Sequence, residues 1–198
     1  MSIADLPSPV SRSRILLSCA ALAVACATTS SKPPKLTASA NNPEQRFTMS
    51  GSGFQTTALI TKDGAQGPAI NVGRYDDGKA IRGQVDGRTI DLSVADDKAT
   101  GIWGQGPITI NVDDTENELK VNGLIAGRPC TFTASREAVQ GTIGFCSYDL
   151  KNSGGGVYLG SRSCGRGIGN VTVEFPSTIL EWKPVNIAVL MALLMSTP

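Results

Sequence analysis

Apolar and polar residues alternate along several short segments in the middle of the chain. The segments with this alternation are 89–94, 108–112, 119–122 and 130–134. Such alternation is typical of a β-strand with one buried and one solvated face. Pairs such as Asp77-Gly78 and Asp86-Gly87 separate the alternating segments, and Asp-Gly in this context is a strong hairpin signal. The pattern predicts an antiparallel meander of about ten to twelve short strands.

The pattern changes near the C-terminus, where Pro184 precedes an apolar run that extends to Met195. Proline is favoured in the first turn of a helix, and the Ala, Leu and Met of this run are good helix formers. Segment 184–195 is therefore predicted to be a helix. Because it is apolar on nearly every side, we expect it to be buried all round. The predicted fold class is mainly β, with the meander curled into a barrel-like sheet around or against this helix.

This layout resembles that of the tubby-like and phospholipid-scramblase superfamily, in which short antiparallel strands enclose an apolar C-terminal helix. The resemblance covers residues 47–195 and rests mainly on segment 184–195 following a meander. It implies a barrel topology. A likeness of layout does not by itself imply a function.

The first 25 residues have the parts of an export signal: a positively charged start, an apolar run from Ile15 to Ala25 and small residues at its end. The run is too short for a permanent span, which needs about 20 residues. Segment 22–26, Leu-Ala-Val-Ala-Cys, resembles the lipobox of bacterial lipoproteins. The resemblance implies cleavage before Cys26 and acylation of that cysteine. The alternative is an ordinary secretory signal, cleaved after Ala25 or a neighbouring alanine.

These features divide the chain into three parts. Residues 1–25 are a predicted signal peptide, and 26–46 are the lipidated Cys26 with a polar, proline-broken tether. Residues 47–198 are a single β-rich domain. In the lipoprotein family, Ala27 after the cysteine fits outer-membrane location. The predicted location is the cell envelope, with the outer membrane as partner through the lipid and envelope proteins as further candidates.

The cysteines after Cys26 suggest a disulfide. If Gly154–Gly156 is a hairpin loop, Cys146 and Cys164 lie opposite each other, because each is nine residues from Gly155. Opposite residues of paired strands are close enough for a disulfide, and export permits one. The predicted bridge is Cys146 with Cys164. The alternatives are Cys130 with Cys146 on neighbouring strands, or three buried thiols that act as small apolar residues.

Several classes of chemistry lack their usual residues. The chain contains no histidine, which is the commonest general base and metal ligand. The acidic pairs 76–77, 96–97 and 113–114 match no calcium-loop spacing. The formal net charge of +1 gives no basic footprint for nucleic acid. We therefore predict no catalytic residues, no metal, no cofactor and no nucleic-acid partner.

A few side chains have two interpretations. Trp103 and Trp182 are candidates for an exposed binding surface, although a tryptophan is more often in the core. Arg162 and Arg166 flank Cys164 and are interpreted as a solvated edge.

The favoured function is a lipid-anchored, non-catalytic structural or interaction module of the envelope. The alternative is a carrier of a small apolar ligand or lipid, held between the sheet and the C-terminal helix. A cavity larger than about 300 Å³ with an Ile- and Leu-rich lining would favour the carrier. A third hypothesis, an aspartate-based hydrolase, requires two buried carboxylates facing one cleft.

Overall fold

The computed structural model describes residues 45–165 and 167–197. Within these residues, fourteen antiparallel strands form a closed barrel in which each strand pairs with its neighbours in sequence. The strands are β1 (Arg46–Gly51), β2 (Phe54–Thr61), β3 (Gly64–Gln66), β4 (Ile70–Tyr75), β5 (Ala80–Val85), β6 (Arg88–Val94), β7 (Lys98–Trp103), β8 (Gly106–Asp114), β9 (Glu118–Ile125), β10 (Arg128–Ser135), β11 (Ala138–Ile143), β12 (Cys146–Gly154), β13 (Val157–Cys164) and β14 (Gly167–Glu174). Pairing of β1 with β14, as at Met49 and Val173, closes the sheet.

The predicted C-terminal helix is α1 (Pro184–Met195), and it lies inside the barrel. All its residues except Pro184 and Ile187 are buried. They belong to one continuous core with the inward side chains of the strands. The mainly β barrel with one helix confirms the predicted fold class. Among the described residues, no helix is both long and apolar enough to cross a membrane.

Polar contacts fix α1 at both ends. Asn186 Nδ2 donates a hydrogen bond to the carbonyl oxygen of Gly78, between β4 and β5, at 2.9 Å. At the other end of the helix, the hydroxyl of Tyr148 on β12 donates to the carbonyl oxygen of Met195. Buried donors without partners are costly, so these bonds favour one position of the helix within an otherwise apolar core.

Inward-facing glycines recur in the odd-numbered strands. In β9, a Cβ atom at Gly123 would overlap the carbonyl oxygen of Thr109 on β8, so only glycine permits this approach of the two backbones. The equivalent close approaches in the other strands are at Gly83, Gly101, Gly141 and Gly160. Each of these glycines has buried side chains two residues before and after it. Glycine interrupts the apolar alternation in these strands, which is why ten to twelve strands is too low a prediction.

The barrel has two different ends. Because neighbouring strands are antiparallel, turns after even-numbered strands lie at one end and turns after odd-numbered strands at the other. We call the first the cavity end; it carries the turns at 62–63, 76–79, 95–97, 115–117, 136–137 and 155–156, and the linker 175–183. We call the second the disulfide end; it carries the turns at 52–53, 67–69, 86–87, 104–105, 126–127 and 144–145, and residues 196–197 after the helix.

Candidate functional site

A cavity of about 580 Å³ opens at the cavity end, between α1, the linker and the ends of strands from β8 to β14. Apolar side chains that line it include Val139, Tyr158, Phe175, Ile179, Ile187 and Met191. Ligand sites in proteins commonly have volumes of about 300–1,000 Å³ and mainly apolar walls. The cavity therefore has the size and chemistry of a site for a small apolar molecule.

The helix provides one wall of the cavity. Ile187 and Met191 are four residues apart and so lie on the same face of α1. Ile187 is only partly buried, in contrast to the residues on either side of it. The sequence predicts that α1 is buried on all sides, but one face of the helix lines the cavity.

Aromatic rings form a second wall. The ring centroid of Phe175 is 5.5 Å from that of Phe47 and 5.7 Å from that of Tyr158. The Tyr158 hydroxyl donates a hydrogen bond to the carbonyl oxygen of Ser135 at 2.8 Å. Burial raises the pKa of Tyr158, which keeps the phenol neutral. Because its polar group already has a partner, Tyr158 contributes mainly its ring to the cavity.

The linker between β14 and α1 is anchored on the strands. The hydroxyl of Thr178 donates to the carbonyl oxygen of Ile60 at 3.2 Å, and Trp182 Nε1 donates to that of Thr61 at 3.0 Å. The Arg74 guanidinium lies 4.6 Å from the centre of the Trp182 ring and donates to the carbonyl oxygen of Lys62 at 2.7 Å. These contacts fix the linker wall, including Ile179, relative to the barrel.

Charged side chains surround the mouth. Asp114, Glu116 and Glu118 lie at the turn between β8 and β9, and Arg136 lies at the turn between β10 and β11. Lys120 neutralises part of this charge, since its amino group is 3.5 Å from the Glu118 carboxylate. The three carboxylates outnumber the two basic side chains, Lys120 and Arg136, so the mouth has a net negative charge.

The structure joins Cys146 and Cys164 in a disulfide with a Cα–Cα distance of 4.2 Å. The two residues are direct partners in the β12–β13 hairpin. The loop differs from the predicted three-residue loop: an irregularity between Asn152 and Gly154 absorbs one residue and leaves a two-residue turn. Pairing of Cys130 with Cys146 is excluded because β11 lies between their strands. Cys130 is a buried free thiol, and burial raises its pKa to about 12.

Both candidate tryptophans lie in the core. Trp103 Nε1 donates to the carbonyl oxygen of Val85 at 3.0 Å, while the preceding Ile102 faces outward. Trp182 is also buried. The acidic pairs 76–77 and 96–97 lie on turns of the cavity end, and the pair 113–114 ends β8 there. The described residues include no group of three or more Cys, Asp or Glu side chains that could hold a metal ion.

The interpretation of Arg162 as part of a solvated edge is wrong. Its side chain points into the barrel and is 8% exposed. The guanidinium donates to the carbonyl oxygen of Thr197 at 2.7 Å and lies 4.7 Å from the centre of the Phe54 ring. Arg162 occupies an inward position of β13, where it meets the residues that follow α1. Arg166, the lipidation candidate Cys26 and the predicted signal peptide 1–25 lie outside the described residues.

A second depression of about 540 Å³ lies on the outer face of β8 to β11. It is shallow, and several of the polar side chains along it bond to each other or to the strands. For example, Thr131 Oγ1 donates to Asn122 Oδ1 at 3.3 Å, and Asn111 Nδ2 donates to the Asn122 carbonyl oxygen. The cavity at the cavity end is more enclosed and includes one face of α1, so it is the stronger candidate site.

Comparison with known proteins gives no match: no family model, no curated protein and no solved structure is significantly similar to the chain.

Proposed function

We propose that the protein is a non-catalytic binding module of the bacterial cell envelope that holds a small apolar ligand at the cavity end. The observation that carries the proposal is the cavity of about 580 Å³ between α1 and the strands. It exceeds the volume of about 300 Å³ above which we favour a carrier over a purely structural module. Ile179, Ile187 and Met191 supply surface for an alkyl chain or a small ring.

The charge at the mouth narrows the class of ligand. Asp114, Glu116 and Glu118 outnumber Lys120 and Arg136 there. A ligand that places its apolar part in the cavity leaves its polar group near these carboxylates. Since like charges repel, a neutral or cationic polar group fits better than the carboxylate of a fatty acid. Screening by salt makes this preference moderate in size.

The arrangement of polar groups favours binding over catalysis. The Tyr158 hydroxyl, which lies in the cavity wall, is already bonded to the Ser135 carbonyl oxygen. The carboxylates at the mouth lie on a turn, and Asp114 and Glu116 are exposed. They do not form the buried, facing pair that a hydrolase with two carboxylates requires.

Binding of the neutral fluorophore N-phenyl-1-naphthylamine tests the site. Ala134 lies in the cavity wall, so Ala134→Phe fills part of the space and should weaken binding of the fluorophore about tenfold or more. Ala138→Phe is the matched control, because Ala138 precedes the cavity residue Val139 and faces the other side of β11. Equal binding by both variants, or no binding by the unmodified protein, would contradict the proposal.

Competition between amphiphiles of equal chain length tests the ligand class. We expect dodecylamine to displace the fluorophore at lower concentration than dodecanoate at neutral pH. The preference should decrease in the double variant Asp114→Asn/Glu116→Gln and at high salt. Equal displacement by both amphiphiles would remove the charge preference but leave the apolar site.

Attachment to the membrane is the second part of the proposal, and its support comes from the lipobox-like segment 22–26. Acyl chains on Cys26 would anchor the protein without a transmembrane helix, since stable anchoring takes two lipid chains or equivalent signals. Intact mass spectrometry of protein extracted from native bacterial membranes should show a chain that starts at Cys26 and carries acyl mass. A soluble, unmodified chain that starts near Ala27 would contradict the anchor.

A further inference from the structure

Two large apolar side chains project from the disulfide end. Phe145, in the turn between β11 and β12, is 68% exposed, and Ile168, near the start of β14, is 80% exposed. Exposed apolar residues that cluster, rather than lie singly, mark surfaces that contact a protein or a membrane. The relative positions of these two residues therefore matter.

The strand register brings the two side chains to the same part of the rim. Cys146 pairs with Cys164, and Cys164 pairs with Gly167, so these three residues form a row across β12, β13 and β14. Phe145 directly precedes the first residue of this row, and Ile168 directly follows the last. Two strand spacings, about 10 Å, separate β12 from β14. The disulfide lies within this row and makes the rim rigid there.

Two arginines lie at the disulfide end, one of them in contact with an exposed apolar residue. The guanidinium of Arg128, at the start of β10, lies over the ring of Phe145. Arg88, at the start of β6, lies on another part of the same rim, six strands from β12 and beside the turn residue Asp86. A surface that combines exposed apolar side chains with arginines is typical of proteins that bind the interface of an anionic bilayer.

At the opposite end of the barrel, acidic residues outnumber basic ones. Acidic residues at or next to the turns and linker of the cavity end are Asp63, Asp76, Asp77, Asp96, Asp97, Asp113, Asp114, Glu116, Glu118, Glu137, Glu174 and Glu181, and the basic residues among them include Lys62, Lys79, Lys98, Arg136 and Lys183. A negatively charged surface would repel this end and attract the end that carries Arg88 and Arg128. The charge distribution and the exposed apolar residues therefore both favour docking on an anionic surface through the disulfide end.

We propose that the disulfide end docks on an anionic lipid surface. Phe145 and Ile168 enter the interface between headgroups and acyl chains, and Arg88 and Arg128 lie at the level of the phosphates. This surface is distinct from the ligand cavity, and the proposal holds whether or not the cavity binds a ligand. It also does not depend on acylation of Cys26.

Tryptophan reporters test docking at a defined place. In the full chain with Cys26→Ser, Phe145→Trp should show a blue shift of its emission and protection from iodide when phosphatidylglycerol-containing vesicles are added. Leu159→Trp is the matched control, because Leu159 is 46% exposed and lies near the cavity end of β13 but does not line the cavity. Trp103 and Trp182 are buried and common to both variants, so the difference reports the introduced residue. Binding of vesicles to another part of the chain would not shift the emission of the tryptophan at position 145 alone.

The outcomes separate the candidate partners. A shift at position 145 but not at 159, with anionic vesicles and not with pure phosphatidylcholine, supports the proposal. Equal shifts at both positions, no shift at 145, or equal shifts with both vesicle types overturn it. A shift at 145 without vesicles that grows with protein concentration also overturns it, because a second copy of the chain would then cover this surface.

Two further variants test the contributions of the side chains. Each of Arg88→Gln and Arg128→Gln should weaken the response of the Phe145→Trp reporter to anionic vesicles about fivefold. Ile168→Ser in the same reporter should weaken it as well, whereas Leu180→Ser should leave it unchanged. Loss of the response with Leu180→Ser, or no effect of the arginine variants, would contradict the proposed orientation.

Discussion

The two ends of the barrel each use one arginine to hold the chain that flanks α1. At the cavity end, Arg74 lies 4.6 Å from the Trp182 ring and donates to the Lys62 carbonyl oxygen at 2.7 Å. At the disulfide end, Arg162 lies 4.7 Å from the Phe54 ring and donates to the Thr197 carbonyl oxygen at 2.7 Å. The geometry is nearly the same, but the surroundings differ.

Burial is what separates the two arrangements. Arg162 is 8% exposed and lies near a disulfide, whereas Arg74 is half-buried and bonds to a carbonyl in an exposed turn. Removal of the Arg162 side chain would leave the Thr197 carbonyl oxygen buried, where water reaches it with difficulty. After removal of the Arg74 side chain, water can replace it as the donor to the Lys62 carbonyl oxygen. We infer that the disulfide end provides rigidity, while the cavity end retains space beside the helix.

Loss of the disulfide should have the largest effect on stability. The double variant Cys146→Ala/Cys164→Ala removes a bond across a sequence separation of 18 residues. Loops of this size correspond to about 3 kcal/mol of unfolding free energy, which urea unfolding would measure. Binding of the naphthylamine fluorophore should change little, because the cavity lies at the other end. A loss well below 1 kcal/mol, or a large loss of binding, would contradict the division of roles.

Substitution of the two arginines compares the ends directly. Arg162→Met should lower the unfolding free energy by about 2 kcal/mol, because a buried carbonyl loses a charged donor. Arg74→Met should lower it by less than about 1 kcal/mol. Urea unfolding of both variants under the same conditions measures the difference. Equal effects would show that the two arginines hold α1 in the same way.

The smallest expected effect is that of Asp86→Asn, in a turn of the disulfide end. Burial raises the pKa of Asp86, and nearby Arg88 partly offsets the shift. The folded state therefore binds this proton more tightly than the unfolded state, and stability falls as pH rises from the ordinary pKa through the raised one. At neutral pH, Asn should increase stability by a few tenths of a kcal/mol, since screening limits the effect at an exposed position.

Urea unfolding of Asp86→Asn at pH 7 and near pH 3 checks the sign. The backbone φ of Asp86 is +49°, a conformation that asparagine also adopts readily, so the turn itself should be preserved. The advantage of the variant should disappear at the lower pH, where the aspartate is protonated in both states. An equal advantage at both pH values would attribute the effect to the turn rather than to the charge.

The sequence predicts those parts of the fold that depend on local patterns. Alternation identifies β6, β8, β10 and the first half of β9, and the all-apolar segment after Pro184 identifies a buried helix. The opposition of Cys146 and Cys164 follows from counting outward from Gly155. Odd-numbered strands are harder to identify because an inward glycine, such as Gly83 or Gly123, breaks the alternation. Comparison of these strands with each other reveals a shared pattern. In each, the glycine has one buried residue two positions before it and another two positions after it.

The candidate site depends on relations that local patterns do not contain. Val139, Phe175 and Met191 are far apart in the chain, and the space between them exists only because α1 does not fill the barrel evenly. Arg162 looks like a surface residue until the segment after α1 is placed next to it. The difference in charge between the ends does leave a signal in the sequence: acidic pairs occur directly after β4, soon after β6 and at the end of β8, all even-numbered strands.

The position of α1 after all fourteen strands has a consequence for how the protein is made. Each strand leaves the ribosome before the segment that its inward side chains pack against exists. Closure also waits for β14, which pairs with β1. Since contacts between distant parts of a chain form slowly, we expect the barrel to close around its core only after synthesis of α1. Under the proposed export route, this delay keeps the barrel from closing before translocation, and the sheet then closes around its helix on the far side of the membrane.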